Sequence, residues 1–248
     1  MNQVLVVTGG SQGIGAACAR LAAARGYAVA ISYLRAEALA QELAAEIRSS
    51  GGQAIAVPAD GAQEGDVVRF FETVDAELGR CSALVNNAGI TGPVAPVENV
   101  TTAILDEVFG INVRGAFLAL REAVLRMATD RGGTGGAIVN ISSRAAALGG
   151  AGEWIHYAAS KAAVDTLTIG AAKELASRGI RVNAVSPGLI ETEIHAKAGM
   201  PGRAERMGAN VPLRRAGTAE EVARTVLWLL SEEASYITGA NIPVSGGR

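Results

Sequence analysis

Tyr157-Ala158-Ala159-Ser160-Lys161 holds the pair of residues best suited to chemistry. The phenol and the ammonium stand four apart in a stretch that reads as helix, so their side chains share a face. A phenol ordinarily titrates near pH ~10 and passes protons poorly at neutrality. A neighbouring ammonium favours the phenolate and lowers that value, which prepares the phenol for proton transfer. Taken alone, such a pair is more often an incidental feature of an exposed helix, so its meaning depends on the rest of the chain.

A second stretch supplies that context: Val4-Leu5-Val6-Val7-Thr8-Gly9-Gly10-Ser11-Gln12-Gly13-Ile14-Gly15. Four apolar residues, three of them β-branched, read as a strand buried on both faces of a sheet. The glycines read as a sharp turn, and Ala16 to Arg25 as a helix stopped by Gly26. Such a turn gathers free backbone N–H groups and the positive end of a helix dipole, a setting for phosphate. Glycine is needed because a Cβ would hold the backbone off a pyrophosphate and the helix off its strand. Gly9-x-x-x-Gly13-x-Gly15 varies the usual Gly-x-Gly-x-x-Gly spacing. Its strand–turn–helix context still points to dinucleotide binding.

The elements that must position these residues alternate. Strands are expected at 28–33, 54–58, 83–86, 137–142, 180–185 and 241–245, after the first at 4–7. Helices are expected at 36–50, 64–78, 101–128, 156–178 and 219–230, the last capped by Thr218 with Glu221 completing a capping box. Residues 129–136 read as a loop with room to flex, and 189–217, with Gly199, Pro201, Gly202 and Pro212, as an irregular lid. Seven strands alternating with helices predict an α/β fold, a doubly wound parallel sheet covered on both faces. Ligands of such sheets bind past the strands' carboxyl ends, which gathers Thr8–Gly15, Asn86–Gly89, Ser142–Ser143 and Ser186–Gly188 on one rim.

Composition narrows the class. A length of 248 residues suits one large domain spanning 1–248, and 49% hydrophobic residues supply its core. A net charge of -2 lacks the basic footprint of a nucleic-acid binder. The two cysteines, Cys18 and Cys81, suggest neither a metal site nor a disulfide framework. Met1 runs almost directly into the first strand, and no apolar run spans a bilayer, so a cytoplasmic protein without membrane contact is expected.

Together these stretches resemble the single-domain short-chain dehydrogenase/reductases. The resemblance covers essentially the whole chain and rests on Thr8–Gly15, Asn86-Asn87-Ala88-Gly89, Asn112, Ser143, Tyr157-x-x-x-Lys161 and Ser186-Pro187-Gly188. It implies a seven-stranded Rossmann sheet and hydride transfer between a nicotinamide cofactor and a carbonyl or alcohol. It makes Tyr157 the acid/base, and gives Lys161 the nicotinamide ribose and the lowering of the Tyr157 pKa. Ser143 would hold the substrate oxygen, and Asn112 would bend the long helix and hold a water that relays protons to Lys161. Fourteen positions separate Ser143 from Tyr157, one more than in many relatives, and the extra residue fits Gly149-Gly150-Ala151-Gly152. Ser142 stays as a rival. On the cofactor side the resemblance assigns Gly9, Ser11, Gln12, Gly13, Ile14 and Gly15 to the pyrophosphate turn. Asn87, Ala88 and Gly89 would line the adenosine side, with Asp60 and the backbone of Gly61 facing the adenine. Pro187, Gly188, Ile190 and Thr192 would hold the carboxamide end.

Cofactor choice turns on Ser32-Tyr33-Leu34-Arg35, where no acid appears until Glu37. An acid at that position marks NAD-preferring Rossmann proteins. Its absence, with hydroxyls at Ser32 and Tyr33 and a cation at Arg35, favours NADP(H), with NAD(H) as the alternative. Gln12 stands where many NADP-using relatives carry Arg. Trp154, His156, Leu189 and His195 are expected near the substrate mouth. A narrower reading is a 3-oxoacyl-carrier-protein reductase, whose acidic partner would dock on cations such as Arg131 and Arg178. A different class is a cofactor-sensing protein without turnover. Small residues along the Tyr157 helix, Ala158, Ala159, Ala162, Ala163, Ala171 and Ala172, agree with the resemblance in suggesting a homotetramer.

Overall fold

Strand β1 (Val4–Val7) is buried at all four positions. It lies between β2 (Ala28–Tyr33) and β4 (Ala83–Asn86), with β3 (Ala54–Pro58) beyond β2. A strand flanked on both sides and covered on both faces has no wet side, so its run is apolar throughout. With β5 (Gly136–Ile141), β6 (Ile180–Pro187) and β7 (Asn241–Val244) the sheet takes the order β3-β2-β1-β4-β5-β6-β7, and every pairing is parallel. The structure is a computed structural model and describes residues 3–248; the His195 side chain lies outside the described part.

The helices run in chain order: α1 (Gly13–Ala24), α2 (Glu37–Ser49), α3 (Glu64–Glu77), α4 (Thr102–Phe109), α5 (Gly115–Met127), α6 (Ala145–Leu148), α7 (Ile155–Leu175), α8 (Ile194–Lys197), α9 (Arg203–Gly208) and α10 (Ala219–Leu230). Strand alternation divides them between two layers. Leu5 and Val7 share one core with residues of α1, α2 and α10, whereas Val4 and Val6 share the other with residues of α3, α5 and α7. The chain leaves β1 toward β2 and returns past it to β4, so the strand order reverses between β1 and β4. Crevices of such sheets open there.

Three regions depart from the sequence expectation. The helix expected over 101–128 is interrupted by a π-helical turn, Gly110–Arg114. One inserted residue leaves the apolar spacing on either side intact, so periodicity does not reveal it. The segment 189–217 is not irregular throughout but carries α8 and α9, each shorter than a full amphipathic repeat. The loop 129–136 holds a 3-10 turn, and its end is fixed by Gly135 N–H donating to Met127 O (2.8 Å) and Gly136 N–H to Gly179 O (3.0 Å). Helix α7 ends at Leu175 in a 3-10 turn, and β6 continues to Pro187.

Thr8 fastens the crevice. Its buried hydroxyl accepts from Asn87 N–H (2.9 Å) and Ala88 N–H (3.0 Å) and donates to Asn86 Oδ1 (3.4 Å). The near-isosteric Thr8→Val leaves two inner N–H groups without an acceptor, at roughly 1–3 kcal/mol each. Urea unfolding should show a loss of about 2–4 kcal/mol for Thr8→Val, with Thr8→Ser close to the parent.

Candidate active site

The carboxyl ends of β1, β4, β5 and β6 border a cleft of about 1160 Å³ that runs from the glycine turn past Tyr157 to α8 and α9. At one end Gly9 and Gly13 take left-handed backbone (φ 61° and 54°), which a side chain would strain. Gly15, expected at the pyrophosphate, instead lies behind the turn. A Cβ there would fall 2.6 Å from Asn87 Nδ2 and 2.8 Å from Gly9 O, so its role is close packing of the start of α1 on the glycine turn and Asn87. Asn87 uses that amide to hold the turn, donating to Thr8 O (3.0 Å) and Gly9 O (2.9 Å). Ser11, Gln12, Gly13 and Ile14 line the cleft, as do Ala88, Gly89, Pro187, Gly188, Ile190 and Thr192.

Ser32, expected as a donor to a ribose phosphate, accepts the Gly9 N–H (3.1 Å), which leaves only its own proton to give. Tyr33 is buried, Arg35 is exposed with no partner among the described residues, and both border the cleft. Asp60 Oδ1 caps its own turn by accepting from Ala62 N–H (2.9 Å). The Gly61 carbonyl lies 2.8 Å from where a Cβ on Gly115 would sit, so its backbone supports α5 as well as bordering the cleft.

In the middle of the cleft, Tyr157 is partly exposed and Ser143 borders the same space. The Ser143 hydroxyl also accepts from Ala145 N–H (3.1 Å), which opens α6. The rival, Ser142, is buried and its hydroxyl is turned to the Lys161 carbonyl (3.3 Å), away from the phenol. The glycines expected to absorb the additional residue, Gly149, Gly150 and Gly152, all have positive φ.

Lys161 is 4% exposed and its Nζ donates to the Ile141 carbonyl at 2.7 Å. Burial pulls the ammonium down to a pKa of about 8, against the pull of Asp165, one turn further along α7. Tyr157 departs from expectation: burial pushes its phenol above the ordinary value, and the hydrogen bond from Ser143 is what opposes the rise. The Lys161 ammonium, 5.8 Å from the centre of the Tyr157 ring, does not offset that rise.

Asn112 stands in the π-helical turn, fully buried. Its amide donates to Ile90 O (2.8 Å) and Ser160 Oγ (2.9 Å) and accepts from Ile90 N–H (2.8 Å). Ser160 in turn donates to the Tyr157 carbonyl (2.7 Å), so Asn112 locks the start of α7 to the loop after β4. That loop passes close over the lysine: a Cβ on Gly89 would lie 3.2 Å from both Asn112 Oδ1 and Lys161 Nζ.

At the far end, Trp154 and Leu189 border the cleft as expected. His156 does not; it is buried with Nε2 2.9 Å from Thr91 O. Three residues escaped the sequence reading. Glu153 and Arg203 border the cleft and pair across 50 positions of chain, and no local spacing signals a contact of that separation. Asp165 does carry a signal, the four-residue step from Lys161.

A family model described as enoyl-(acyl carrier protein) reductase, within the short-chain dehydrogenase/reductases, matches residues 9–248. The chain belongs to the short-chain dehydrogenase/reductase family. It is 50% identical over 245 residues to the uncharacterized oxidoreductase YgfF of Escherichia coli strain K12, covering 99% of both chains. It is 37% identical over 247 residues to a 3-oxoacyl-[acyl-carrier-protein] reductase, FabG, of Staphylococcus epidermidis, covering 100% of this chain and 99% of the relative. The crystal structure of a 3-ketoacyl-(acyl-carrier-protein) reductase from Brucella melitensis complexed with NADH matches with a TM-score of 0.91 and 32% identity, over 99% of this chain and 98% of that one. This short-chain dehydrogenase/reductase is therefore a Rossmann-type oxidoreductase of a family that binds a nicotinamide cofactor. The open glycine turn and the side-chain-free approach at Gly89 fit such a dinucleotide. No described helix is long and apolar enough to cross a membrane.

The low value of Lys161 predicts a stability signature. Its folded pKa, about 8, lies below the unfolded value of 10.5, so between those limits the unfolded chain binds more protons. Stability then rises with pH across that window and Lys161 costs most below it. The unfolding free energy of the parent minus that of Lys161→Met should rise by on the order of 2–3 kcal/mol from pH 7.5 to 10. A flat difference in urea titrations would contradict the assignment.

Proposed function

We propose that the protein transfers a hydride between a nicotinamide cofactor, NADP(H) by preference, and a small carbonyl or alcohol substrate. The observation that carries this reading is the meeting of Ser143, Tyr157 and a buried Lys161 midway along a cleft that begins at a glycine turn. The bound nicotinamide would supply or accept the hydride. Ser143 would hydrogen-bond the substrate oxygen and set its position against Tyr157. The phenol, kept protonated by burial, would give its proton to the oxygen of a carbonyl being reduced; the oxidation runs this in reverse. Ser143 and the Lys161 ammonium would then stabilise the phenolate. Two of the three Lys161 N–H groups remain for ribose hydroxyls after the bond to Ile141. Asn112 would keep Lys161 and Tyr157 in register through Ser160, with the water relay expected of it placed at Lys161.

Arg35 and the absence of an acid beside it support NADP(H). The NADH held by the Brucella melitensis structure supports NAD(H) as the alternative. The Staphylococcus epidermidis relative supports a 3-oxoacyl-carrier-protein substrate. Against a carrier dock, Arg178 is already paired with Asp130 at 3.0 and 3.1 Å, which leaves Arg131 of the two cations expected there. Intact Ser143, Tyr157 and Lys161 argue against a protein without turnover. A single domain over 1–248 with a lid at 189–217 and a homotetrameric assembly complete the reading. Exposed Leu105, Phe117 and Ile169 on α4, α5 and α7 support the assembly.

Tyr157→Phe should reduce turnover at least 1000-fold while the cofactor dissociation constant stays within about threefold, since packing survives and the acid is lost. Assaying sugars, ketones, diketones and acyl thioesters by nicotinamide absorbance tests both the reaction and the variant; substantial turnover by Tyr157→Phe would overturn the mechanism. Arg35→Ala should raise KM for NADPH about tenfold and leave that for NADH nearly unchanged, in keeping with a charge-assisted phosphate contact. Higher kcat/KM with NADH in the parent would reverse the cofactor assignment alone.

A further inference from the structure

Among the described Asp, Glu, Lys and Arg residues, only Glu122, Lys161 and Arg203 are buried. Glu122 is paired with Arg121 and Arg126 of its own helix, α5, and Lys161 lies in the site. Arg203 has no part in either. It opens α9, in the segment proposed as a lid, and reaches across to the turn before α7. There Nη1 and Nη2 donate to the two oxygens of Glu153 at 2.7 and 2.6 Å. Its guanidinium carbon stands over the Trp154 ring, 4.9 Å from the centroid. The receiving turn is itself rigid: Ala95 N–H donates to Glu153 O (2.9 Å), Trp154 N–H to Gly150 O (2.9 Å) and Trp154 Nε1 to Gly92 O (3.2 Å).

We propose that Glu153 and Arg203 are specificity-determining residues: their ion pair, stacked on Trp154, ties the lid to the opposite wall, limiting the pocket to compact carbonyl substrates. This rests on the reading of the cleft as a carbonyl-reduction site. Glu153, Trp154 and Arg203 all border the same cleft as Tyr157; on this proposal a substrate extending beyond Trp154 meets the pair and displaces it. Displacement is costly, because a bidentate guanidinium–carboxylate contact with one partner buried cannot lose the other without stranding a charge. Stacking on the indole adds to the tie and orients the guanidinium plane. A compact substrate leaves the pair whole. A long acyl chain does not, which separates this cleft from one built for extended thioesters.

The test compares a cyclic diketone with a twelve-carbon 3-oxoacyl thioester in the parent, in Arg203→Met, in the neutral double variant Glu153→Gln/Arg203→Met and in the exchanged pair Glu153→Arg/Arg203→Glu. The parent should favour the diketone. Arg203→Met should raise KM for the diketone about tenfold with a smaller change in kcat, and shift the kcat/KM ratio toward the thioester by tenfold or more. The neutral double variant should show the same shift without a stranded charge, and the exchanged pair should recover much of the parental ratio. KM for the reduced cofactor is the control for damage elsewhere. A ratio unchanged within twofold in both Met variants, or a parent that already prefers the thioester, overturns the proposal. Amide exchange in residues 203–208 gives a readout independent of turnover. At least tenfold faster exchange in both Met variants supports the tie, and equal exchange rejects it. If no carbonyl is reduced by any form, the carbonyl-reduction reading and the size limit fail together, while amide exchange still decides whether the tie exists.

Discussion

The site depends on one buried ammonium. Lys161 brings a charge and three donors into the interior, and the protein meets them with one short bond to the Ile141 carbonyl and a carboxylate one turn away. Burying a charge so sparsely paired is unfavourable, and the fall of its pKa to about 8 expresses that cost. The surrounding structure holds the lysine in place regardless. The carboxyl end of β5 provides the acceptor, α7 carries the lysine, and the loop after β4 approaches closely because residue 89 has no side chain.

Much of the rest follows from keeping that lysine beside Tyr157 and open to the cleft. The π-helical turn brings Asn112 inward, where its amide joins the β4 loop to Ser160. Irregular helical turns of this kind collect at functional sites because they redirect a side chain without ending the helix. Thr8 and Asn87 do the corresponding work at the strand reversal, joining the glycine turn to the end of β4. The two halves of the cleft are thus braced through the same loop, residues 86–90, which joins the glycine-turn end to the Tyr157 end.

The sheet is legible because its inner strands, buried on both faces, show as short apolar runs between turn residues, and all seven strands lie within about two residues of the sequence expectation. The Tyr157–Lys161 step and the glycine turn were legible because they are local. What escaped was set at a distance. The π-helical turn leaves periodicity intact on both sides. α8 and α9 are too short to show a repeat. The Glu153–Arg203 pair joins residues that only the folded chain makes neighbours. The pKa of Tyr157 was misjudged for a related reason. Spacing places the ammonium near the ring, but burial of the phenol outweighs it, and burial is not written in the spacing.

The central claim is that a hydride moves directly to carbon while the proton on oxygen passes through Tyr157. Single-turnover reduction of a carbonyl compound with cofactor dideuterated at nicotinamide C4 separates the two. One deuterium is expected on the alcohol carbon with none washed out to solvent, and, with unlabelled cofactor in deuterated water, no solvent label on that carbon. Solvent deuterium on the alcohol carbon, or cofactor deuterium lost to water, would contradict it.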